Sequence, residues 1–242
     1  FLHRNREALA ARGILYPTTL PGQRLQEKHH CLVENLARMT DRDTAAEPAW
    51  SAILQQIDAS SASQVVLSDE LFWRILEHRP AGRPQVIRWI ARQLAGHEVI
   101  VVCYLRRQSD WIESRYNQLA KMEATVNGKM PFEVFVDKHA EMGALDYDAV
   151  LADWAAAFGA AQLRVRPWEK ASLVNGNTID DFCALLGQSD LSGLRRPPEL
   201  QLRLGAPALA MAVAFNRQPA ALASKARFLK LLSSGPALPR DG

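Results

Sequence analysis

Cysteine is scarce in this sequence, and no long apolar run occurs in it. The 242 residues include three cysteines, Cys31, Cys103 and Cys183, which lie far apart. An odd number of widely spaced thiols argues against a disulfide framework or a zinc site, and it is typical of a reducing compartment. No stretch reaches the roughly 20 apolar residues of a membrane span, and no signal-peptide pattern is present. We therefore expect a cytoplasmic protein without a transmembrane segment.

The charge is nearly balanced, and the composition is that of a globular protein. Lys and Arg number 29 and Asp and Glu number 26, and 48% of the residues are hydrophobic. The basic residues form no tail or long stripe, so nucleic acid is not an expected partner. We expect a single domain over residues 1–242, with an α/β core over 1–190 and a helical C-terminal extension over 191–242. The chain opens without Met on the helix-forming stretch FLHRNREALAARG, so we also expect an N-terminal segment before Phe1.

Strands and helices alternate along most of the chain. Apolar stretches predict strands at 14–17, 65–67, 99–105 and 163–165, and the third is apolar without alternation, as in a strand covered on both faces. Helices are predicted at 1–12, 31–39, 48–58, 70–78, 83–95, 109–123, 131–142 and 147–158, and nearly everything after 177 is helical. The expected fold is α/β, an open parallel sheet with flanking helices and a helical C-terminal part. Ligands of such sheets bind beyond the carboxyl ends of the strands.

The segment YLRRQSDWIESRYNQLAK, residues 104–121, places charge where the third predicted strand ends. Arg106 leaves that strand, and Asp110 with Glu113 three residues later forms a capping-box pattern for the next helix. A guanidinium, the amides of a helix N-terminus and the hydroxyl of Ser114 together suit a phosphate. The same residues also fit a structural interpretation, in which Asp110 caps, Arg106 is solvated and Ser114 bonds to the backbone.

The spacing of Arg106, Asp110, Ser114 and Tyr116 resembles the 3′-phosphate-binding segment of sulfotransferases that use 3′-phosphoadenosine 5′-phosphosulfate (PAPS). In that family an arginine and a serine hold the 3′-phosphate of the nucleotide. The resemblance therefore implies these roles for Arg106 and Ser114. The family has Asn or Asp and then Pro after the arginine, whereas this chain has Arg and Gln there.

Two further stretches resemble the same family. The segment DWAAAFGAAQLRVRPWEKASLVNGNTIDDFCALLG, residues 153–187, is similar to its helix, strand and Tyr-Glu-Asp-Leu-like turn, with Pro-Trp-Glu-Lys as a variant turn. The opening residues, which end in RGILYP, resemble the helix and second strand that follow the phosphate loop in bacterial members acting on glycans. The likeness is spread along residues 1–190, and the segment 104–116 is its most specific part.

The family's Gly-rich phosphosulfate loop, with its Lys and Ser or Thr, is missing from these residues. The resemblance implies that this loop and the first strand lie upstream of Phe1, and that the fragment alone transfers nothing. The implied reaction moves a sulfuryl group from PAPS to a hydroxyl or amine acceptor, which we expect on a carbohydrate, without a metal. The donor is made in the cytosol, in agreement with the thiols.

Sulfuryl transfer needs a base that takes the proton of the acceptor hydroxyl. Some carbohydrate sulfotransferases place a glutamate base after a strand, so the resemblance implies this role for Glu70, which follows the predicted strand 65–67. Its alternative is to complement a helix dipole behind a cap at Ser68 or Asp69. Some members use a histidine instead, and His29 and His30, in a polar loop, are the rival candidates, with His30 the second base that we assign.

Two other functions stay open at this point. A P-loop kinase would use the same kind of sheet and phosphate grip, with a carboxylate such as Glu70 on magnesium. A degenerate nucleotide-binding or helical interaction module would have the fold and no activity.

Overall fold

The structure, a computed structural model, describes residues 1–18, 29–34, 36, 48–75, 80–122, 127–197, 204–219 and 222–234. These ranges form a mixed α/β protein with ten α-helices and four short strands. The helices are α1 (Arg6–Ala10), α2 (His30–Glu34), α3 (Pro48–Asp58), α4 (Arg83–Gln93), α5 (Gln108–Lys121), α6 (Phe132–Glu141), α7 (Tyr147–Phe158), α8 (Thr178–Leu185), α9 (Ala206–Asn216) and α10 (Leu222–Ser234). The chain divides into two compact units, which are described separately below.

The first unit, residues 1–105 and 146–197, contains all four described strands. They are β1 (Ile14–Leu15), β2 (Gln64–Val65), β3 (Val101–Leu105) and β4 (Leu163–Pro167). The strands form two parallel pairs, β1 with β2 and β3 with β4. In the longer pair Val101 lies opposite Leu163, and the register continues without a bulge to Leu105 opposite Pro167. Because each pair is parallel, its carboxyl ends lie side by side and present the residues that follow them at one edge.

Helices α2, α3, α4 and α7 bury their apolar faces in the main core of the first unit. Trp50 of α3 is 1% exposed and donates its indole N–H to the carbonyl of Leu32 at 2.9 Å. Its ring meets the ring of Trp89 edge to face, with centroids 5.6 Å apart. A smaller apolar cluster beside the β1–β2 pair consists of Leu9, Ile14, Tyr16 and Val66.

The second unit, residues 106–145 and 198–242, is helical in its described part. Tyr116 of α5 packs between Phe132 and Phe135 of α6, with ring centroids 5.1 Å from each. Asn117 is 5% exposed, and its side-chain amide donates to the carbonyl of Leu204 at 2.8 Å and accepts from the amide of the same residue at 3.3 Å. These contacts fix the rotation of α5 about its own axis.

Most of the predicted elements are confirmed. All four predicted strands are present and pair in parallel, and the helix predicted at 48–58 has those bounds in the structure. The described strands form two separate pairs, so the single open sheet stays a prediction. The long helix predicted at 70–78 is wrong in its described part, because Glu70–Phe72 is a single 3-10 turn followed by turns. Full burial of the third strand is also wrong, since all five residues of β3 are half-buried. The predicted loop at 18–31 lies mostly outside the described residues.

Two further expectations concern the cysteines and the membrane. All three cysteines are free thiols, and burial raises the pKa of Cys103 to about 12, so this thiol is protonated and inert at neutral pH. No helix within the described ranges is both long enough and apolar enough to cross a membrane. The expected single domain with an extension from 191 stays a prediction. The compact units group α5 and α6 with the C-terminal helices.

The core of the first unit predicts the cost of a truncation in α4. Ile87 is fully buried, at 0% exposure. Ile87→Ala removes three buried carbons and leaves a cavity, so we expect the free energy of unfolding to fall by about 2–5 kcal/mol in urea titrations. Ile100→Ala is the control, because Ile100 is 50% exposed, and its effect should stay within about 0.5 kcal/mol. Equal effects of the two substitutions would contradict this packing.

Candidate functional site

His29 joins the carboxyl ends of β1 and β2. Its side chain is 1% exposed, and its Nδ1 accepts the backbone N–H of Ser68, just after β2, at 2.9 Å. Because Nδ1 accepts, the proton of the neutral ring is on Nε2, which lies 2.9 Å from the carbonyl oxygen of Pro17, just after β1. Burial lowers the pKa of His29, although its bonds to Pro17 and Ser68 oppose that shift. With both ring nitrogens engaged, His29 is a structural residue and not an exposed loop histidine.

The next residue, His30, lies beside a buried carboxylate. His30 is the first residue of α2, and its side chain is 45% exposed. Its Nδ1 is 3.6 Å from Oδ1 of Asp69, whose side chain is 0% exposed. The two residues are 39 positions apart in the chain, and they meet because the segment after β2 turns back against α2. The structure thus brings one predicted base together with a carboxylate that the sequence analysis named only as a possible cap.

Asp69 caps the 3-10 turn that contains Glu70. Its Oδ1 accepts the amide of Leu71 at 2.8 Å, which confirms the cap predicted at Ser68 or Asp69. Its other oxygen, Oδ2, is buried and accepts no hydrogen bond from the residues that the structure describes. Buried polar atoms usually have a partner, so Oδ2 leaves this carboxylate with unused capacity.

Glu70 and Tyr16 complete the surroundings of this carboxylate. Glu70 is exposed at the start of the 3-10 turn, so it is accessible to an acceptor. Tyr16 is 3% exposed, and its ring lies 4.5 Å from that of His29. Burial, and next the negative charge of Asp69, raise the pKa of Tyr16 to about 12, so this phenol is neutral at physiological pH. The cluster therefore contains one buried carboxylate, two neutral buried rings and the exposed side chains of His30 and Glu70.

The start of α5 differs from its predicted cap. The helix begins at Gln108 with Arg107 as the N-cap residue, whose side chain makes no cap hydrogen bond. Asp110 is therefore the third residue of the helix, where its negative charge still favours the N-terminus, and the predicted Asp110 cap is wrong. Arg106 is half-buried and directly follows β3, as expected.

Ser114 lies on the side of α5 away from the apolar cluster of the second unit. At about 100° per residue it is roughly 160° around the helix from Tyr116 and within about 40° of Asp110 and Lys121. Ser114 itself is half-buried, whereas Tyr116 is buried. Ser114 stands about 9 Å along the axis from Gln108.

The carboxyl end of β4 contains a charged cluster whose partners are internal. Asp181 of α8 is 1% exposed and accepts hydrogen bonds from Arg166 Nε at 3.0 Å, Tyr104 Oη at 2.8 Å and the amide of Val174 at 3.1 Å. The bond from Arg166, aided by Tyr104 and Val174 and opposed by burial, lowers the pKa of Asp181 to about 2. Because these partners saturate the carboxylate, the cluster ties β3, β4 and α8 together and is structural.

The predicted site residues thus fall into two groups. Glu70 and His30 lie in the first unit near Asp69, and Arg106 and Ser114 lie in the second unit at and near the start of α5. The pairing of Asp69 with His30 was not predicted from the sequence. The signal for it was the carboxylate of Asp69 just after the predicted strand 65–67, and that signal does not name a partner. Among the described residues, no group of three or more His, Cys, Asp or Glu side chains is arranged to hold a metal ion.

Comparisons with known proteins leave the family open. No protein-family model matches the chain, and no solved structure matches it. An uncharacterized protein of Archaeoglobus fulgidus is 37% identical over 87 residues, which are 36% of this chain and 22% of that protein. The chain therefore spans less than a quarter of the length of that curated relative. Its function has to be argued from its own residues.

The saturated carboxylate of Asp181 predicts a pH dependence of stability. Its pKa falls from 3.8 to about 2 on folding, so it stabilises the fold above pH 4, and this contribution is lost as the pH falls from about 4 to 2. We expect Asp181→Asn to be less stable than the wild type at pH 6 and to lose less stability between pH 5 and 2, as measured by urea titration. Asp58→Asn, at an exposed aspartate of α3, is the matched control for the loss of one carboxylate, and Asp181→Asn should be the less stable of the two variants at pH 6. A wild-type slope in Asp181→Asn would contradict the assignment.

Proposed function

We propose that this chain is part of a sulfotransferase that moves a sulfuryl group from PAPS to a hydroxyl or amine acceptor, most directly a carbohydrate hydroxyl. Arg106 and Ser114 contact the 3′-phosphate of the donor, and Glu70 or His30 takes the proton of the acceptor. The reaction is placed in the cytosol, where the donor is made. The proposal rests on the resemblance of the segment 104–116 and on the placement of its residues.

The observation that carries the proposal is the orientation of Ser114. A hydroxyl that contacts a phosphate has to lie away from the apolar cluster of the second unit. Ser114 meets this condition, since it is half-buried on the opposite side of α5, whose rotation Asn117 fixes through its two bonds to Leu204. Arg106 follows β3 at its carboxyl end, the edge at which ligands of parallel sheets bind. An anion held there gains charge-assisted hydrogen bonds from a guanidinium and a hydroxyl.

The separation along α5 decides which groups belong to the phosphate site. The first amides of α5, from Gln108 to Asp110, are about 9 to 6 Å from Ser114 along the axis, and we assign the contact to the 3′-phosphate to the two side chains. The guanidinium of Arg106 ends a long side chain and can reach the phosphate from outside the helix. The site therefore depends on two side chains, which makes it sensitive to single substitutions.

The proposal includes the type of sheet. We propose that the strand pairs β1–β2 and β3–β4 are parts of one larger parallel sheet of the P-loop type. Each described strand pairs with a single neighbour, which leaves strand edges where a further strand can add. The Gly-rich loop that holds the phosphosulfate is not among these 242 residues. Binding of the 3′-phosphate is therefore the property of the chain that tests the proposal.

Loss of either phosphate contact is expected to weaken nucleotide binding. Ser114→Ala and Arg106→Ala each remove a hydrogen bond to a charged group, worth about 1.5–3 kcal/mol, so the dissociation constant for adenosine 3′,5′-bisphosphate should rise roughly 10- to 150-fold. The measurement is isothermal titration calorimetry with the full natural chain. Circular dichroism of each variant shows whether the helices are retained.

Matched controls make this test specific. Ser109→Ala changes an exposed serine of the same helix, and Arg107→Ala changes the exposed neighbouring arginine, so both variants should bind within about threefold of the wild type. Adenosine 5′-phosphate, which lacks the 3′-phosphate, should bind all five proteins with similar affinity. If the bisphosphate binds as well to Ser114→Ala and Arg106→Ala as to the wild type, the proposed donor site is wrong.

A further inference from the structure

We propose that Asp69 is a positioning residue for His30 and that Nε2 of His30, not the carboxylate of Glu70, is the atom that takes the acceptor proton. This base assignment rests on the proposed sulfuryl transfer. The pairing of Asp69 with His30 does not depend on that function, and it is tested separately below.

The geometry places the carboxylate at one nitrogen of the ring. Asp69 Oδ1 lies 3.6 Å from Nδ1 of His30, which is longer than a hydrogen bond and within the range of an ion pair. Asp69 is held in place because its Oδ1 also accepts the amide of Leu71 at 2.8 Å. The His30 side chain is 45% exposed, so a small rotation of its ring closes the gap. Hydrogen bonds of catalytic groups are often long before a substrate binds.

The burial of Asp69 explains why this carboxylate suits the positioning role. Its side chain is 0% exposed, and Oδ2 accepts no hydrogen bond within the described part of the chain. A buried carboxylate is costly unless it is paired, so it favours a donor nearby. Tyr16 and His29 also face this charge, but His29 uses both ring nitrogens on Pro17 and Ser68. Among these described neighbours, His30 is the imidazole with a nitrogen still available to Asp69.

The pairing fixes the tautomer of His30. A proton on Nδ1 faces the carboxylate, which leaves the lone pair of Nε2 on the other side of the ring. In the transfer step Nε2 takes the proton of the acceptor hydroxyl while the oxygen forms a bond to sulfur. The bond between sulfur and the 5′-phosphate oxygen breaks, and its electron pair leaves with the adenosine bisphosphate. Asp69 then stabilises the imidazolium, as in carboxylate–histidine pairs of other enzymes.

Glu70 is less suited to this step. It is exposed at the start of the 3-10 turn, where its carboxylate is open to water. Imidazole is the side chain that most often serves as a general base, and the ring of His30 has a buried carboxylate beside it. The negative charge of the Glu70 side chain also favours the N-terminus of the 3-10 turn, which gives this residue a structural role.

The pairing itself is tested by the tautomer of His30. The full natural chain is labelled with ¹⁵N histidine, and the ring-nitrogen shifts of His30 are assigned with His30→Gln and recorded at pH 8.5. We expect the Nδ1–H tautomer in the wild type and a shift toward Nε2–H in Asp69→Asn. Asparagine keeps a side-chain oxygen for the amide of Leu71, so the cap is retained. The matched control is Asp146→Asn, since Asp146 caps α7 through the amide of Ala149 at 3.0 Å, and it should leave His30 unchanged.

The catalytic part is tested by sulfuryl transfer from ³⁵S-labelled PAPS to a hydroxyl acceptor. His30→Gln should lower kcat by about 100-fold or more, Asp69→Asn by about 10-fold or more with KM for PAPS unchanged, and Glu70→Gln by less than about threefold. An unchanged tautomer in Asp69→Asn overturns the pairing. A large loss in Glu70→Gln with activity retained in His30→Gln overturns the base assignment. Neither result depends on nucleotide binding. The Ser114→Ala and Arg106→Ala titrations therefore show separately whether the proposed function is wrong.

Discussion

The buried imidazole of His29 is the constraint on which the polar edge of the first unit depends. Its two hydrogen bonds, to Pro17 and Ser68, hold together the residues that leave β1 and β2. Each of these strands has two residues, so few backbone hydrogen bonds join them. The His29 side chain adds one hydrogen bond to the segment after β1 and one to the segment after β2. Because the ring is neutral and both of its nitrogens are hydrogen-bonded, His29 has a structural role and does not transfer protons.

The position of the Asp69 carboxylate follows from that constraint. Ser68, fixed by His29, is followed by Asp69, whose carboxylate turns inward to cap Leu71. His30 begins the helix directly after His29, so its ring is carried to the same carboxylate. The two adjacent histidines thus differ in role. His29 is buried and joins the ends of two strands, and His30 is exposed beside the carboxylate of Asp69. The second unit shows a comparable division on α5, where Asn117 fixes the helix and Ser114 lies half-buried on the face away from the apolar cluster.

Local pattern predicted much of the fold, and long-range contact explains what it missed. The strands and most helix positions follow from apolar runs and from glycines such as Gly13 and Gly96, whose positive φ ends the preceding element. The capping-box pattern at Asp110 failed because the N-cap residue of the helix is Arg107, three residues earlier. The apolar period after Glu70 predicted a helix, but the Asp69 cap and the packing of Leu71 and Phe72 into the main core accompany a single 3-10 turn there.

The site could be predicted only in part for the same reason. Arg106 and Ser114 are neighbours on one segment, so their spacing can be read from the sequence. His30 and Asp69 are 39 residues apart, and no periodicity links them. Their meeting depends on the turn after β2 and on the start of α2, which are tertiary features. A carboxylate that looked like a cap is both a cap and the neighbour of a histidine.

The central claim is that the chain recognises a nucleotide by its 3′-phosphate. It is tested most directly by titrating the full natural chain with adenosine 3′,5′-bisphosphate and with ATP, each with and without magnesium. The account predicts tighter binding of the bisphosphate, with no dependence on magnesium. Preference for ATP that requires magnesium would contradict it and would favour a phosphotransferase of the kinase type.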